Sequence, residues 1–464
     1  MAYATTNPFT GKVEKEFPTA TREEVEAAIT KADETFQEWK DRPISERVKV
    51  LAKAAEILKA ERHEYAKVLT TEMGKLIGEA ELEVDLCVGM LEYYVEKGED
   101  LLAPEVIPAK GFADGEVKAY FEPLGVIYAV EPWNFPYYQV IRIGAPQFTA
   151  GNTIVLKHAS IVPQSALKME ELFKEAGAPD GLLVNVFASH DATDQILSDP
   201  RVRGVALTGS EPAGAAVSGT ASKYVKKSTL ELGGADAFIV LDDAEVEKAA
   251  KWAAFGRHWN GGQVCCSSKR LIVVDSLYDR FLEVYRDEVK KFVLGDPMDP
   301  ATTLAPLSSA SAVEGLKKQV EAAKARDGVK VEEFDFEVPE TGNFFPPILM
   351  TEIPAGSETS REEFFGPVTQ LYRVKDEAEA IEVANSSPFG LGGSVFTSDK
   401  DRFAQVARKL DTGMVYWNQP TGVKADVPFG GTKLSGFGRE LIEWGLKEFV
   451  NQKVVVETKI DGSF

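Results

Sequence analysis

Residues 22–40 carry Val25, Ala28, Ile29, Ala32, Phe36 and Trp39 at the three- and four-residue spacing that lays one apolar stripe along a helix. Thr21, with Glu24 three residues on, resembles a capping box and predicts a helix start at residue 22. A second helical stretch, 45–98, has Val48, Leu51, Ala55, Ile57 and Leu58 on its stripe and is expected to break near Gly74. From Gly125 the texture changes. Short apolar runs at 126–130, 153–156, 183–187 and 204–207 read as buried strands, with helical patterns at 164–175 and 192–197 between them. Strand and helix in alternation predict an α/β fold with a parallel, doubly wound sheet of the dinucleotide-binding kind. A second α/β region opens at 235–241 and runs to about residue 439, while 116–122 and 450–459 read as strands outside both cores.

Composition narrows the picture. A chain of 464 residues allows two or three domains at about 150 residues each. Asp and Glu number 73 against 52 Lys and Arg, a formal charge of −21. That excess argues against nucleic acid or an anionic membrane as partner, and an anionic substrate would need a local cation to draw it in. Residues 1–7 do not resemble a signal peptide, and no apolar run reaches bilayer length. Three cysteines, Cys87, Cys265 and Cys266, make no disulfide framework and fit a reducing cytoplasm, the location expected. His63, His158, His190 and His258 lack metal-ligand spacing, so no catalytic metal is expected.

Candidate chemistry starts at Asn260-Gly261-Gly262-Gln263-Val264-Cys265-Cys266-Ser267, where small neighbours would leave the Cys265 sulfur approachable. A single cysteine in a chain this long is more often a packing residue. The odds change with Thr229-Leu230-Glu231-Leu232-Gly233-Gly234, which sets a carboxylate before a glycine pair, because thiol and carboxylate together suit acyl chemistry. Glu131-Pro132-Trp133-Asn134-Phe135-Pro136 and Pro428-Phe429-Gly430-Gly431 are two further rare patterns.

With Asn7-Pro8-Phe9-Thr10-Gly11, Leu207-Thr208-Gly209-Ser210, Glu363-Phe364-Phe365-Gly366-Pro367 and Ser435-Gly436-Phe437-Gly438-Arg439-Glu440, these motifs make the chain resemble the aldehyde dehydrogenase superfamily almost end to end. The resemblance implies a Rossmann-like cofactor-binding domain (1–108 and 125–231), an α/β catalytic domain (232–442) and a small β oligomerisation arm (109–124 and 443–464) in a homodimer or homotetramer. It implies Cys265 as nucleophile, Asn134 with the Cys265 N–H as oxyanion donors, and Glu231 as the base that hydrolyses the thioester. Trp133, Lys157, Gly209, Ser210, Glu363 and Phe365 would bind the cofactor. Ser160 stands where many NAD-using relatives have a carboxylate, so NADP is favoured and NAD kept as the alternative. Ile143 replaces a lysine common nine residues after the asparagine, which puts in doubt a proton relay through that lysine and Glu440. Arg142 matches an arginine that binds the substrate carboxylate in succinic semialdehyde dehydrogenases, or else it pairs with a structural carboxylate; Tyr138, Trp259 and Lys424 are the other substrate-binding candidates. An aromatic channel suited to neutral aldehydes is the alternative, as is a non-catalytic, crystallin-like structural role. Cys266 beside Cys265 suggests reversible oxidation.

Overall fold

A computed structural model of the chain describes residues 3–111 and 115–460. The first helix spans Arg22–Trp39, and both halves of its capping box form: Thr21 Oγ1 accepts from the Glu24 N–H at 3.2 Å and Glu24 Oε2 from the Thr21 N–H at 2.8 Å. The second stretch breaks twice, into Ile44–Ala60, Arg62–Met73 and Ile77–Leu101. Gly74 makes the second break, because its φ of +80° favours glycine and a Cβ would come within 2.9 Å of the Pro306 ring. At Glu61 no glycine or proline marks the first.

A six-stranded sheet runs in the order Gly436–Phe437, Lys227–Glu231, Val202–Thr208, Val126–Glu131, Thr153–His158, Leu183–Asn185, parallel except for its first pair. Both faces are covered. Val126 and Tyr128 point into the core under the Arg22–Trp39 helix, and Ile127 and Ala129 into the core beneath Pro136–Ala150. The chain leaves the middle of this sheet in both directions, so the ends of Val126–Glu131 and Val202–Thr208 flank the crevice where such sheets bind ligands.

A second sheet of seven strands runs Lys330–Glu333, Ile348–Thr351, Val368–Val374, Arg270–Val274, Ala237–Val240, Gly393–Phe396, Tyr416–Trp417, antiparallel only at its first pair. Glu116–Pro123 and Val450–Glu457 pair with each other, antiparallel, along their whole length, and Glu105–Val106 adds a third strand. Two boundaries therefore differ from those expected. The outlying sheet takes in residue 105, ahead of 109, and Gly436–Phe437 leaves the second α/β region to hydrogen-bond with Glu231 and Leu230 of the first sheet. Among the described residues no helix is long and apolar enough to cross a membrane.

Candidate active site

Asn260, Gly261 and Gly262 turn the chain through three consecutive left-handed residues, φ +52°, +63° and +75°. The Asn260 side chain donates to the Asn134 carbonyl at 3.0 Å, and Asn134 Nδ2 donates to the Gln263 carbonyl at 3.0 Å, so the Asn134 amide and the cysteine turn are laced together. Cys265 follows, partly exposed on the wall of a cavity of about 470 Å³, whereas Cys266 is buried. The Cys265 thiol is held below the usual cysteine range by a hydrogen bond from Cys266, against burial, and then by the charges of Lys269 and Arg142. No acceptor for the Cys265 N–H occurs among the described residues.

Glu231 ends its strand beside Thr208 and does not line the cavity. Both its carboxyl oxygens are buried without a hydrogen-bond partner. Burial, then Glu440 and the Cys265 thiol, push it well above the carboxylate range, so Glu231 sits within the electrostatic reach of Cys265 despite the 34 residues between them. Glu131 lies in the same row across three strands, also buried without partners, and is pushed up by the same causes, burial first and Glu440 second.

Tyr138, Trp259 and Lys424 line the cavity with Cys265. Arg142 lines it too, as the partner of a structural carboxylate, the second of the two readings the sequence left open: it is 2 % exposed, ion-paired with Glu440, and donates to Thr208 Oγ1 at 2.7 Å and Tyr138 Oη at 3.1 Å. Its plane also lies over the Tyr138 and Phe429 rings. A buried guanidinium needs a counter-charge, and Glu440 supplies it. Lys424 is exposed at the cavity, with no carboxylate partner among the described residues.

The cofactor candidates gather at the strand ends of the first sheet. Lys157 is 7 % exposed, its ammonium has no partner among the described residues, and burial depresses its pKa. Ser160 is half-buried, its hydroxyl likewise free of any described partner. Gly209 closes the strand through its N–H to the Glu231 carbonyl at 3.0 Å, and exposed Ser210 stands at the N-cap position of the Glu211–Lys223 helix without a side-chain capping hydrogen bond. Glu363 accepts from the Gly234 N–H at 3.1 Å, and Trp133 meets Phe365 edge to face at 5.7 Å. A buried ammonium with no counter-ion among the described residues, a free hydroxyl and a helix start without a side-chain cap are a donor set that fits a dinucleotide carrying an extra phosphate.

The aldehyde dehydrogenase family model matches residues 1–455. The chain belongs to the aldehyde dehydrogenase family. It is 47% identical over 98% of its length to a succinate-semialdehyde dehydrogenase [NADP(+)] of Deinococcus radiodurans, covering 94% of that protein. A probable succinate-semialdehyde dehydrogenase [NADP(+)] of Synechocystis is 41% identical over 98% of this chain and 99% of the relative. Among solved structures, succinic semialdehyde dehydrogenase from Streptococcus pyogenes in complex with NADP+ superposes with a TM-score of 0.95 at 43% identity, covering 98% of this chain and 99% of that one.

Within this aldehyde dehydrogenase, several buried charges support the cysteine turn without belonging to any motif named from the sequence. Arg257 donates to the carbonyls of Gly262 (3.2 Å), Val368 (2.8 Å) and Phe364 (2.8 Å) and to Ser267 Oγ (2.8 Å), tying the cysteine turn to the loop that carries Glu363. Lys269 Nζ donates to the carbonyls of Val264 and Cys265 and pairs with Glu363. Glu79 Oε1 accepts from the Asn260 N–H at 2.9 Å. A basic residue four places after the nucleophile is the only sequence signal that could single out Lys269.

Proposed function

We propose that the protein oxidises succinic semialdehyde to succinate with NADP. The observation that carries the chemistry is a cavity-facing thiol, Cys265, with an amide at Asn134 laced to its turn and an unpartnered buried carboxyl at Glu231. In this reading the Cys265 thiolate attacks the aldehyde carbon, and the Asn134 amide and the Cys265 N–H hold the oxyanion. NADP supplies, when bound, the acceptor for the hydride that leaves this carbon, held by Lys157, Ser160, the Gly209-Ser210 turn, Glu363, Phe365 and Trp133. Glu231 then takes a proton from the water that cleaves the Cys265 thioester, giving the acid and the free thiol. A base at this place favours water over coenzyme A as acyl acceptor.

The relatives' names support the substrate and the cofactor. With Arg142 neutralised, Lys424 is the cation we assign to the remote carboxylate. Lys424→Ala should raise KM for succinic semialdehyde about tenfold and leave KM for butanal unchanged. Equal turnover of both aldehydes by the wild type would favour a second reading, oxidation of neutral aldehydes, which the aromatic walls at Trp252, Phe255 and Trp259 support. The reading includes a cytoplasmic homo-oligomer, dimer or tetramer, joined through the Glu116–Pro123 and Val450–Glu457 arm.

A further inference from the structure

Lys269 takes no part in the chemistry above, yet it touches the backbone of the nucleophile itself. Its buried Nζ donates to the Val264 carbonyl at 2.6 Å and the Cys265 carbonyl at 2.7 Å, and pairs with Glu363 Oε1 at 3.0 Å. A trans peptide is planar, with its C=O and N–H opposed. Drawing the Val264 carbonyl toward Lys269 therefore turns the Cys265 N–H the other way, and that N–H has no acceptor among the described residues. The Cys265 carbonyl can reach Lys269 because residue 234 is glycine: a Cβ there would lie 2.5 Å from that oxygen.

We infer that Lys269 is a positioning residue that locks the peptide planes on either side of Cys265, keeping the Cys265 N–H free as an oxyanion donor and setting a positive charge beside the sulfur. Three carbonyl and carboxylate partners hold one ammonium, so the plane of the turn is determined by Lys269 and not by the flexible glycines before it. The groups facing the thiol are Lys269 and Arg142 on the positive side, Glu363 on the negative, and protonated Glu231, Tyr138 and Cys266 as neutral neighbours. Glu363 also accepts from the Gly234 N–H, which makes Lys269 a second link, beside Arg257, between the cysteine turn and the loop that carries Glu363.

The inference rests on Cys265 being the nucleophile. The test is iodoacetamide alkylation of the cofactor-free protein, followed at the Cys265 peptide by mass spectrometry as a function of pH, alongside steady-state kinetics. In Lys269→Met the alkylation midpoint is expected to rise by about one pH unit or more, and kcat to fall about 100-fold with KM little changed. Lys269→Gln keeps a donor but no charge, so its midpoint should move as in Lys269→Met while its kcat loss is smaller. Lys269→Arg should bring the midpoint back toward wild type. Should the methionine variant fail to fold, the glutamine and arginine variants carry the same comparison. A wild-type midpoint and kcat in these variants, even with a lowered Tm, would overturn the inference and leave Lys269 a structural residue. Wild-type turnover that survives full alkylation of Cys265 would overturn the nucleophile assignment as well, so the two failures are distinguishable.

Discussion

Glu231 is a base stored in its protonated form. Burial and the neighbouring Glu440 raise its pKa well above the carboxylate range, so it must lose a proton before it can take one from water. The hydrolysis step should accordingly speed up as pH rises through that raised pKa, not through the ordinary carboxylate range. Glu231→Gln should remove this pH dependence, lower kcat by about 10²–10⁴ and leave a burst of reduced cofactor with a thioester trapped on Cys265, which stopped-flow absorbance and intact-protein mass spectrometry would read. Cys265, Glu231 and Asn134 each stand out in the sequence as candidates because a rare local pattern surrounds them. For Arg142 two readings stayed open, a substrate cation or the partner of a structural carboxylate, because Glu440 lies in a distant motif and nothing local connects the two. Arg142→Met leaves the Glu440 carboxylate buried alone and should cost about 3–5 kcal/mol of stability, much of it regained in the double variant with Glu440→Gln.

At the scale of elements, the start of the first helix could be read from Thr21 and Glu24 because capping is a local contract between side chain and backbone. The break at Glu61 could not, since no glycine or proline marks it. Nor could the cap of the helix Pro136–Ala150, which carries Tyr138 and Arg142. Its first N–H groups, on Tyr137 and Tyr138, are satisfied by Glu83 Oε1 at 2.9 and 3.0 Å from the helix Ile77–Leu101. The other oxygen of Glu83 pairs with the buried Lys75, whose ammonium also lies 3.7 Å from the Phe135 ring centroid. Glu83→Ala removes the cap and strands the Lys75 charge, so urea unfolding should show a loss of about 3–5 kcal/mol. Because that helix turns out of the Asn134 loop, kcat should fall along with stability.

For the whole molecule, the strand character of 116–122 and 450–459 was legible, and their mutual pairing was not, because a strand pattern does not name its neighbour. Val454 is 57 % exposed and Val456 42 % on a sheet of only three strands. If the arm joins copies of the chain as proposed, Val454→Lys with Val456→Lys should shift the protein to a smaller species in analytical ultracentrifugation while leaving its far-ultraviolet circular dichroism unchanged. The return of Gly436–Phe437 to the first sheet has a practical corollary. A gene cut after residue 231 would encode an amino-terminal fragment lacking an edge strand and a carboxy-terminal one bearing that strand with nowhere to dock. Two complementing pieces of this enzyme would therefore reassemble by docking residues 436–437 of the second on the edge strand of the first that ends at Glu231.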